Sequence, residues 1–401
     1  MSETTTGDDA AFESGRAAFL AGVQAFEAGD AARAETHFLE ALRLVPGRVS
    51  ALVNLAAARH RLGRPAEALA ALEQALAGAP DDVAAWFHHG QLLQQLGRPV
   101  DALASYERVL ALDPRHGAAW TQRGGLLKDM GRLDEAAHSF RQALAHGGDV
   151  ELNRYFLASV LPREGQAAGA GAQQAEAPAS APRRYVQALF DSYADGFDEH
   201  LVGKLGYRTP QLIAQLLPGE GAAPAGGADG ASAPVAPARR WHAALDLGCG
   251  TGLVGPLLAP QCEALDGVDL SSLMLEKARA LGCYRHLVHA ELAEHLQQTT
   301  ERHDLVVAAD VFVYIGELAP VFAGVARVLA PGGLFAFSVE EAGEGVERYE
   351  LRPSSRYAHR EAYLRQLAAA HGFDVRTVSR ATLRHEQRVP IGGLLVLLAR
   401  H

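Results

Sequence analysis

The chain has 401 residues, 48% of them apolar, with a formal net charge of −10 and a pI near 5.9. That length suggests two or three domains rather than one. The acidic balance argues against generic nucleic-acid binding, which needs a basic surface to displace counterions from phosphates.

The first ten residues, "MSETTTGDDA", lack the basic start and apolar stretch of a secretory signal. No run approaches the roughly 18–20 apolar residues that span a bilayer. Cys249, Cys262 and Cys283 form no Cys-x-x-Cys pair, so neither a disulfide framework nor a metal site is expected. A soluble, reducing, cytoplasmic setting follows, with no membrane partner.

A 34-residue period then runs without gaps through 15–48, 49–82, 83–116 and 117–150. Position 8 of each copy is small (Gly22, Ala56, Gly90, Gly124), which lets two helices approach closely, and position 15 is a helix-ending glycine (Gly29, Gly63, Gly97, Gly131). Position 20 is always alanine (Ala34, Ala68, Ala102, Ala136), position 24 is large (Phe38, Leu72, Tyr106, Phe140), and position 32 is Pro46, Pro80 or Pro114 until Gly148 replaces it. The array therefore stops there, with "ELNRYFLASVL" (151–161) as a capping helix.

These positions resemble the tetratricopeptide family. The resemblance implies a right-handed superhelix whose groove binds a protein or peptide partner. The groove-facing candidates are Asn54, His88, Gln91, Gln95, Gln122 and Lys128. Phe87 and Gln91 occupy positions of the family's carboxylate clamp, so capture of an acidic chain end is not expected.

Two stretches, 162–183 and 218–239, lack periodicity and apolar mass and read as a flexible linker and a disordered insert. Between them, 184–217 should form one or two short helices over a pocket. A last helix over 210–217 would be capped by Thr209 and opened by Pro210.

Beyond the insert, strand and helix patterns alternate as in a doubly wound sheet. Strand candidates are 243–247, 264–270, 286–292, 303–314, 332–340, 373–384 and 393–400, with helices over 253–260 and 271–281. The last two strands are joined by so few residues that they must be antiparallel.

"ALDLGCGTGLVG" (244–255) fits two cofactors. Read from Gly250 it is the dinucleotide fingerprint Gly-x-Gly-x-x-Gly; read from Asp246 it is acidic-x-Gly-x-Gly-x-Gly. A dinucleotide fold normally has an apolar residue at 246, whereas a carboxylate there can hold the loop and help bind a cofactor ammonium. Asp269, 21 residues after Gly248, suits a ribose in either register. Asp246 and the closing hairpin favour the second, leaving Gly255 as a small residue inside the following helix.

In that register residues 184–401 resemble class I S-adenosylmethionine-dependent methyltransferases, through "LDLGCGTG" (245–252), "GVDLSSLMLEKAR" (267–279), "HDLVVAADVFVYIGEL" (303–318) and "VLAPGGLFAFSVE" (328–340). The fold expected is an N-terminal tetratricopeptide α-solenoid followed by a Rossmann-like sheet with an antiparallel last strand. The resemblance implies S-adenosyl-L-methionine as cofactor, with its methionine end on Gly248, Gly250 and Gly252 and its amino end at Asp246. It places the ribose on Asp269 and the adenine between Ser271 and Met274, with Glu291 where the family usually has aspartate. Cys249 is a loop filler rather than a nucleophile.

Tyr193, Phe197 and Asp198 match a lid segment, and Asp310 and Tyr314 stand where donor and acceptor meet. "RYAHREAY" (356–363) brings Arg356, Tyr357 and His359, and His359 joins Asp310 and Tyr314 as a catalytic candidate. From residue 352 onward there are nine arginines against three acids, which suggests an anionic acceptor. Two other readings stand beside a methyltransferase: a non-catalytic adaptor with a cofactor-sensing domain, and an NAD-dependent oxidoreductase.

Overall fold

The computed structural model describes residues 4–161, 177–194, 196–204, 206–218, 241–386 and 389–401, and the chain divides at residues 170/171 into two compact units. Residues 162–176 of the expected linker and 219–239 of the expected insert lie outside the described residues.

The first unit holds helices α1 (Thr4–Glu27), α2 (Ala31–Leu44), α3 (Val49–Arg61), α4 (Pro65–Gly78), α5 (Val83–Gln95), α6 (Pro99–Leu112), α7 (Gly117–Asp129), α8 (Leu133–Ala145) and α9 (Val150–Val160). They follow the 34-residue period, except that α1 begins well ahead of residue 15. Gly29, Gly63, Gly97 and Gly131 all have positive φ, and the amide beyond each reaches back to the carbonyl five residues earlier, as Arg64 does to Arg59 at 3.0 Å. That 6→1 closure ends the first helix of each pair. The next helix opens on Asp30 in the first pair and on Pro65 and Pro99 in the second and third.

Positions 8 and 24 form one contact. A Cβ on Gly22, Gly90 or Gly124 would lie 2.5, 2.7 or 2.6 Å from the ring of Phe38, Tyr106 or Phe140. Each of these rings is fully buried. In the second repeat Ala56 is tolerated because its partner is Leu72, and the two share one core cluster.

The second unit is built on a nine-stranded sheet: β1 (Trp241–Leu247), β2 (Cys262–Asp269), β3 (His286–His289), β4 (His303–Ala308), β5 (Leu329–Glu341), β6 (Tyr349–Leu351), β7 (Tyr357–His359), β8 (Phe373–Glu386) and β9 (Val389–Arg400). The order β3-β2-β1-β4-β5 is parallel, β9 runs antiparallel to β5, and β8 pairs antiparallel with β9. The expected hairpin is therefore present.

Helices α10 (Arg183–Tyr193), α11 (Thr209–Leu216), α12 (Gly255–Leu258), α13 (Ser272–Ala280), α14 (Leu292–Gln298), α15 (Ala319–Val328) and α16 (Glu361–Ala370) complete the unit, with a π-helical turn at Glu199–Lys204. Alternate strand residues feed two cores. Leu245, Val306, Phe335 and Phe337 share one with α14, α15 and α16, while Ala244, Leu305, Val307 and Ala336 share the other with α11 and α12. Burial on both faces explains why these strands read as continuous apolar runs.

Several expected boundaries change. β3 ends at His289, and Leu292 already opens α14; β4 ends at Ala308, and 312–314 is a 3-10 turn. The short strands β6 and β7 lie where no strand is expected from the sequence. Thr209 is the first residue of α11, with Arg208 at the cap position, and its hydroxyl points to Leu383 O at 3.5 Å instead. Residues 177–183 were expected to belong to the linker but are tied to the second unit. Gly316 and Glu317 donate to Ala179 O at 2.8 and 2.9 Å, Ala181 donates to Tyr314 O at 2.9 Å, and Tyr357 Oη donates to Pro178 O at 2.6 Å. Backbone hydrogen bonds supply the order that composition does not.

The glycine–ring contact yields a rescue test. Gly124→Ala should destabilise the full chain by about 1–3 kcal/mol through overpacking. Adding Phe140→Leu, which recreates the Ala56–Leu72 pairing, should recover much of that loss in thermal unfolding.

Candidate active site

The carboxyl ends of β1, β2, β4 and β5 share one edge, and the chain reverses direction across the sheet between β1 and β4, where open α/β sheets bind ligands. Gly248, Gly250 and Gly252 follow β1 with φ of 66°, 54° and 90°, a region open at little cost only to glycine. Gly248 N and Cys249 N both donate to Val268 O on β2, at 2.8 and 3.0 Å. A side chain at Gly248 would meet Val311 at 2.6 Å, whereas the space over Gly250 is open. Gly255 has no positive φ and opens α12. The backbone therefore uses the register that begins at Asp246.

Asp246 is 1% exposed. Tyr284 Oη donates to its Oδ2 at 2.7 Å, and its buried Oδ1 has no hydrogen-bond partner among the described residues. Burial pushes the carboxyl up to about 7, opposed by the Tyr284 hydrogen bond and assisted by the nearby Asp269. Asp269 accepts Gly250 N–H and Ser271 N–H, each at 2.8 Å; burial raises its pKa and these backbone donors lower it. One carboxylate thus braces the loop while the other is left with an unpaired buried oxygen.

Ser271 and Met274 are both fully enclosed, so neither presents the open adenine wall that the sequence suggests. The Ser271 hydroxyl caps α13 at Met274 N (3.2 Å) and donates to Asp191 of α10 at 2.5 Å. Glu291 caps α14 through Glu294 N at 2.8 Å, a commitment that competes with any adenine contact. Cys249 is buried, with its thiol pKa well raised by burial, as befits a filler.

The segment over the site is held from several sides. Thr251 Oγ1 donates to Asp198 at 2.5 Å, Asp191 takes the Ser271 hydroxyl, and Phe190 stands edge-on to Tyr314 and Phe197 with centroids 5.4 and 5.9 Å apart. Tyr193 is half exposed. Asp198 thus lies at the glycine loop, while Phe197 packs against Phe190.

The catalytic candidates are more constrained than expected. Asp310 has φ 59°, a strained conformation for a non-glycine residue, stabilised by its amide donating to Ser338 Oγ at 2.8 Å. Both its carboxylate oxygens accept from Arg384 Nη1 at 3.1 Å. Arg384 is 1% exposed and also binds Glu340 and, through Nε at 2.9 Å, Glu386. Asp310 is consequently anchored through both oxygens to Arg384.

Tyr314 has its pKa raised by burial, and the neighbouring Arg356 guanidinium counters this. His359 is fully enclosed, donates Nε2 to Gly316 O at 3.1 Å and stacks on Tyr363 with centroids 6.3 Å apart. Burial depresses it to about 4, so it is a neutral brace of the 315–316 turn and not a catalytic group. The arginine excess after residue 352 is also largely neutralised. Arg352, Arg356, Arg380 and Arg384 pair with Glu340, Glu341, Glu350, Glu386 and Asp310, four of which precede residue 352.

Sequence reasoning missed Arg384, Tyr284, Asp191 and Thr251. Arg384 sits in an alternating strand pattern that looks half solvated, and Tyr284 belongs to no motif. Among the described residues no group of His, Cys, Asp and Glu is arranged to hold a metal, and no helix is long and apolar enough to cross a membrane.

Residues 245–337, which contain this loop, match a family model described as a methyltransferase domain; 19–83, 54–117, 87–127 and 117–145 match tetratricopeptide-repeat models. Malonyl-[acyl-carrier protein] O-methyltransferase of Geobacter sulfurreducens is 34% identical over 205 residues, covering 50% of this chain and 68% of that protein. The chain belongs to the S-adenosylmethionine-dependent methyltransferases. Dimethylglycine N-methyltransferase of Parasynechococcus marenigrum is 32% identical over 115 residues, 27% of this chain and 41% of that protein. After the Geobacter enzyme, the chain spans about two-fifths to three-fifths of the length of the next curated relatives. Magnesium protoporphyrin IX methyltransferase from Synechocystis, solved with bound S-adenosylmethionine, is 17% identical, with 55% of this chain and 97% of that chain covered and a TM-score of 0.40.

In this methyltransferase the buried charge centre is the structural risk. Arg384→Met would leave Asp310, Glu340 and Glu386 without their shared cation. The second unit should lose about 3–5 kcal/mol, read as a lower urea midpoint.

Proposed function

We propose that the protein methylates a carboxylate oxygen on an acceptor presented by a protein partner of its repeat array. The carrying observation is Asp310: both of its oxygens are held by Arg384, while Tyr314 is part-buried with its phenol pKa raised and His359 is fully enclosed and a weak base, its pKa lowered to about 4. None of these groups is poised to take a proton, so an acceptor that is already nucleophilic at neutral pH suits the site. Arg356, a quarter exposed and beside Tyr314, is paired with Glu386, a carboxylate it shares with Arg384. The first relative's name puts a methyl group on oxygen of a malonyl unit carried by a protein, which fits both parts of the reading.

Asp246 Oδ1 would take the cofactor's ammonium, because a buried carboxylate oxygen without a donor gains most from a cation. The open space over Gly250 admits the methionine end, and Asp269, already oriented by two amides, would take the ribose hydroxyls. When bound, S-adenosylmethionine supplies a methyl group on a sulfonium sulfur, which departs as a neutral thioether sulfur keeping the electron pair of the broken carbon–sulfur bond. Asp310 and Arg384, locked together, would form a fixed floor for the acceptor. Phe190, Phe197 and Tyr314 exclude water, so the protein acts mainly by alignment. Exposed His88 and Gln95 of α5 are the array's candidates for partner contact.

Asp269→Ala should weaken S-adenosylhomocysteine binding by roughly 10- to 100-fold in calorimetry, as expected for lost charged hydrogen bonds. Unchanged affinity would refute the ribose assignment. Product chemistry tests the acceptor: radiolabelled methyl donor is incubated with lysate lacking the protein, then the labelled fraction is treated with mild alkali. Release of labelled methanol from a protein-bound fraction is expected, and an alkali-stable methyl group would overturn the carboxylate reading.

A further inference from the structure

Tyr284 lies between α13 and β3, where neither the loop motif nor the catalytic candidates reach. Its ring is packed against three glycines from three segments. A Cβ on Gly252 of the loop would come within 3.1 Å of the ring and 2.7 Å of Leu281, one on Gly255 at the start of α12 within 2.8 Å of the ring and 2.6 Å of Cys283, and one on Gly267 of β2 within 3.1 Å of the ring and 2.8 Å of Leu287. Gly255 is thus glycine because Tyr284 and Cys283 crowd it, which replaces the view of it as merely a small helix residue. Seated there, the phenol reaches Asp246 Oδ2 at 2.7 Å, while Oδ1 stays buried and unpartnered among the described residues.

We infer that Tyr284 is a positioning residue of the cofactor site, holding one oxygen of Asp246 so that the other is presented to the cofactor's ammonium. The inference rests on the reading above that Asp246 meets that ammonium. Ring and hydroxyl have separable tasks: the ring fills the space over the three glycines, and the hydroxyl alone touches the carboxylate. Burial, followed by the Asp246 charge, raises the phenol's pKa, so it remains a donor at every working pH. The other ionisable groups that act on this corner are Asp269, Cys249, Cys283 and Tyr207. Asp269 is the one among them that adds to burial in raising Asp246.

The test uses the full chain and two probes: S-adenosylhomocysteine, which carries the ammonium, and 5′-methylthioadenosine, which lacks it. Tyr284→Phe should weaken S-adenosylhomocysteine about tenfold, the scale of one hydrogen bond to a charged group, with methylthioadenosine unchanged. In the wild type, affinity for S-adenosylhomocysteine should rise as pH passes through about 7, where Asp246 ionises. Losing the hydrogen bond that favours the carboxylate should move that midpoint upward in Tyr284→Phe. Equal weakening of both probes would reduce Tyr284 to a packing residue and overturn the inference; so would no weakening of either, or an unmoved midpoint. Asp246→Asn separates the two levels. If it leaves S-adenosylhomocysteine binding intact, the ammonium reading fails, whereas if it weakens that probe alone and Tyr284→Phe does not, only the role of Tyr284 fails.

Discussion

A carboxylate taken out of water at the end of β1 governs the architecture around it. Asp246 carries the desolvation cost of a buried acid, and such a group is tolerated only where partners are brought to it. Tyr284 supplies one partner at 2.7 Å. That contact in turn requires the tyrosine ring to sit where three segments come close, and glycine at 252, 255 and 267 makes the room. The remaining oxygen has no hydrogen-bond partner among the described residues, which is what the proposed ammonium contact would satisfy. Close approach, burial and incomplete satisfaction at one point are therefore a single feature of the cofactor site.

The charge centre at Arg384 follows the opposite rule. Arg384 is buried yet multiply satisfied, and its contacts join the turn after β4 to β5 and β8. A network of this kind costs desolvation but defines one geometry, since each carboxylate is left unpaired if the guanidinium moves. It fixes the carboxylate of Asp310, whose amide is held by Ser338. The turn below it is bound to residues 178–181, whose continuation α10 reaches the cofactor loops through Asp191. The glycine loop, the turn after β4 and the segment 178–198 are thus coupled through short polar contacts.

The two units differ in how openly their sequences display them. In the array, every repeat meets the same local problem, and it is met with the same residue types: glycine where the chain must turn left-handed and a small residue facing a large one. Those demands are local, so they recur at a readable period. The glycine loop was legible for the same reason, because positive φ at 248, 250 and 252 is a backbone requirement. Ser271, Glu291 and His359 show where such reading ends. Each is a polar residue at a plausible position, and only the packing shows that Ser271 and Glu291 cap helices and that His359 braces a turn.

The sequence by itself determined the repeat array, the parallel sheet with its closing hairpin, and the register of the cofactor loop, since all three rest on periodicity and backbone conformation encoded within short windows. Tertiary structure alone decided that Arg384 neutralises Asp310, that the arginines after residue 352 meet acids mostly drawn from earlier strands, and that Tyr284 reaches Asp246. These pairs are separated by 74 and 38 residues in the first and last cases. Electrostatic and packing energies depend on distance in space, and no local pattern records which distant groups the fold will bring together.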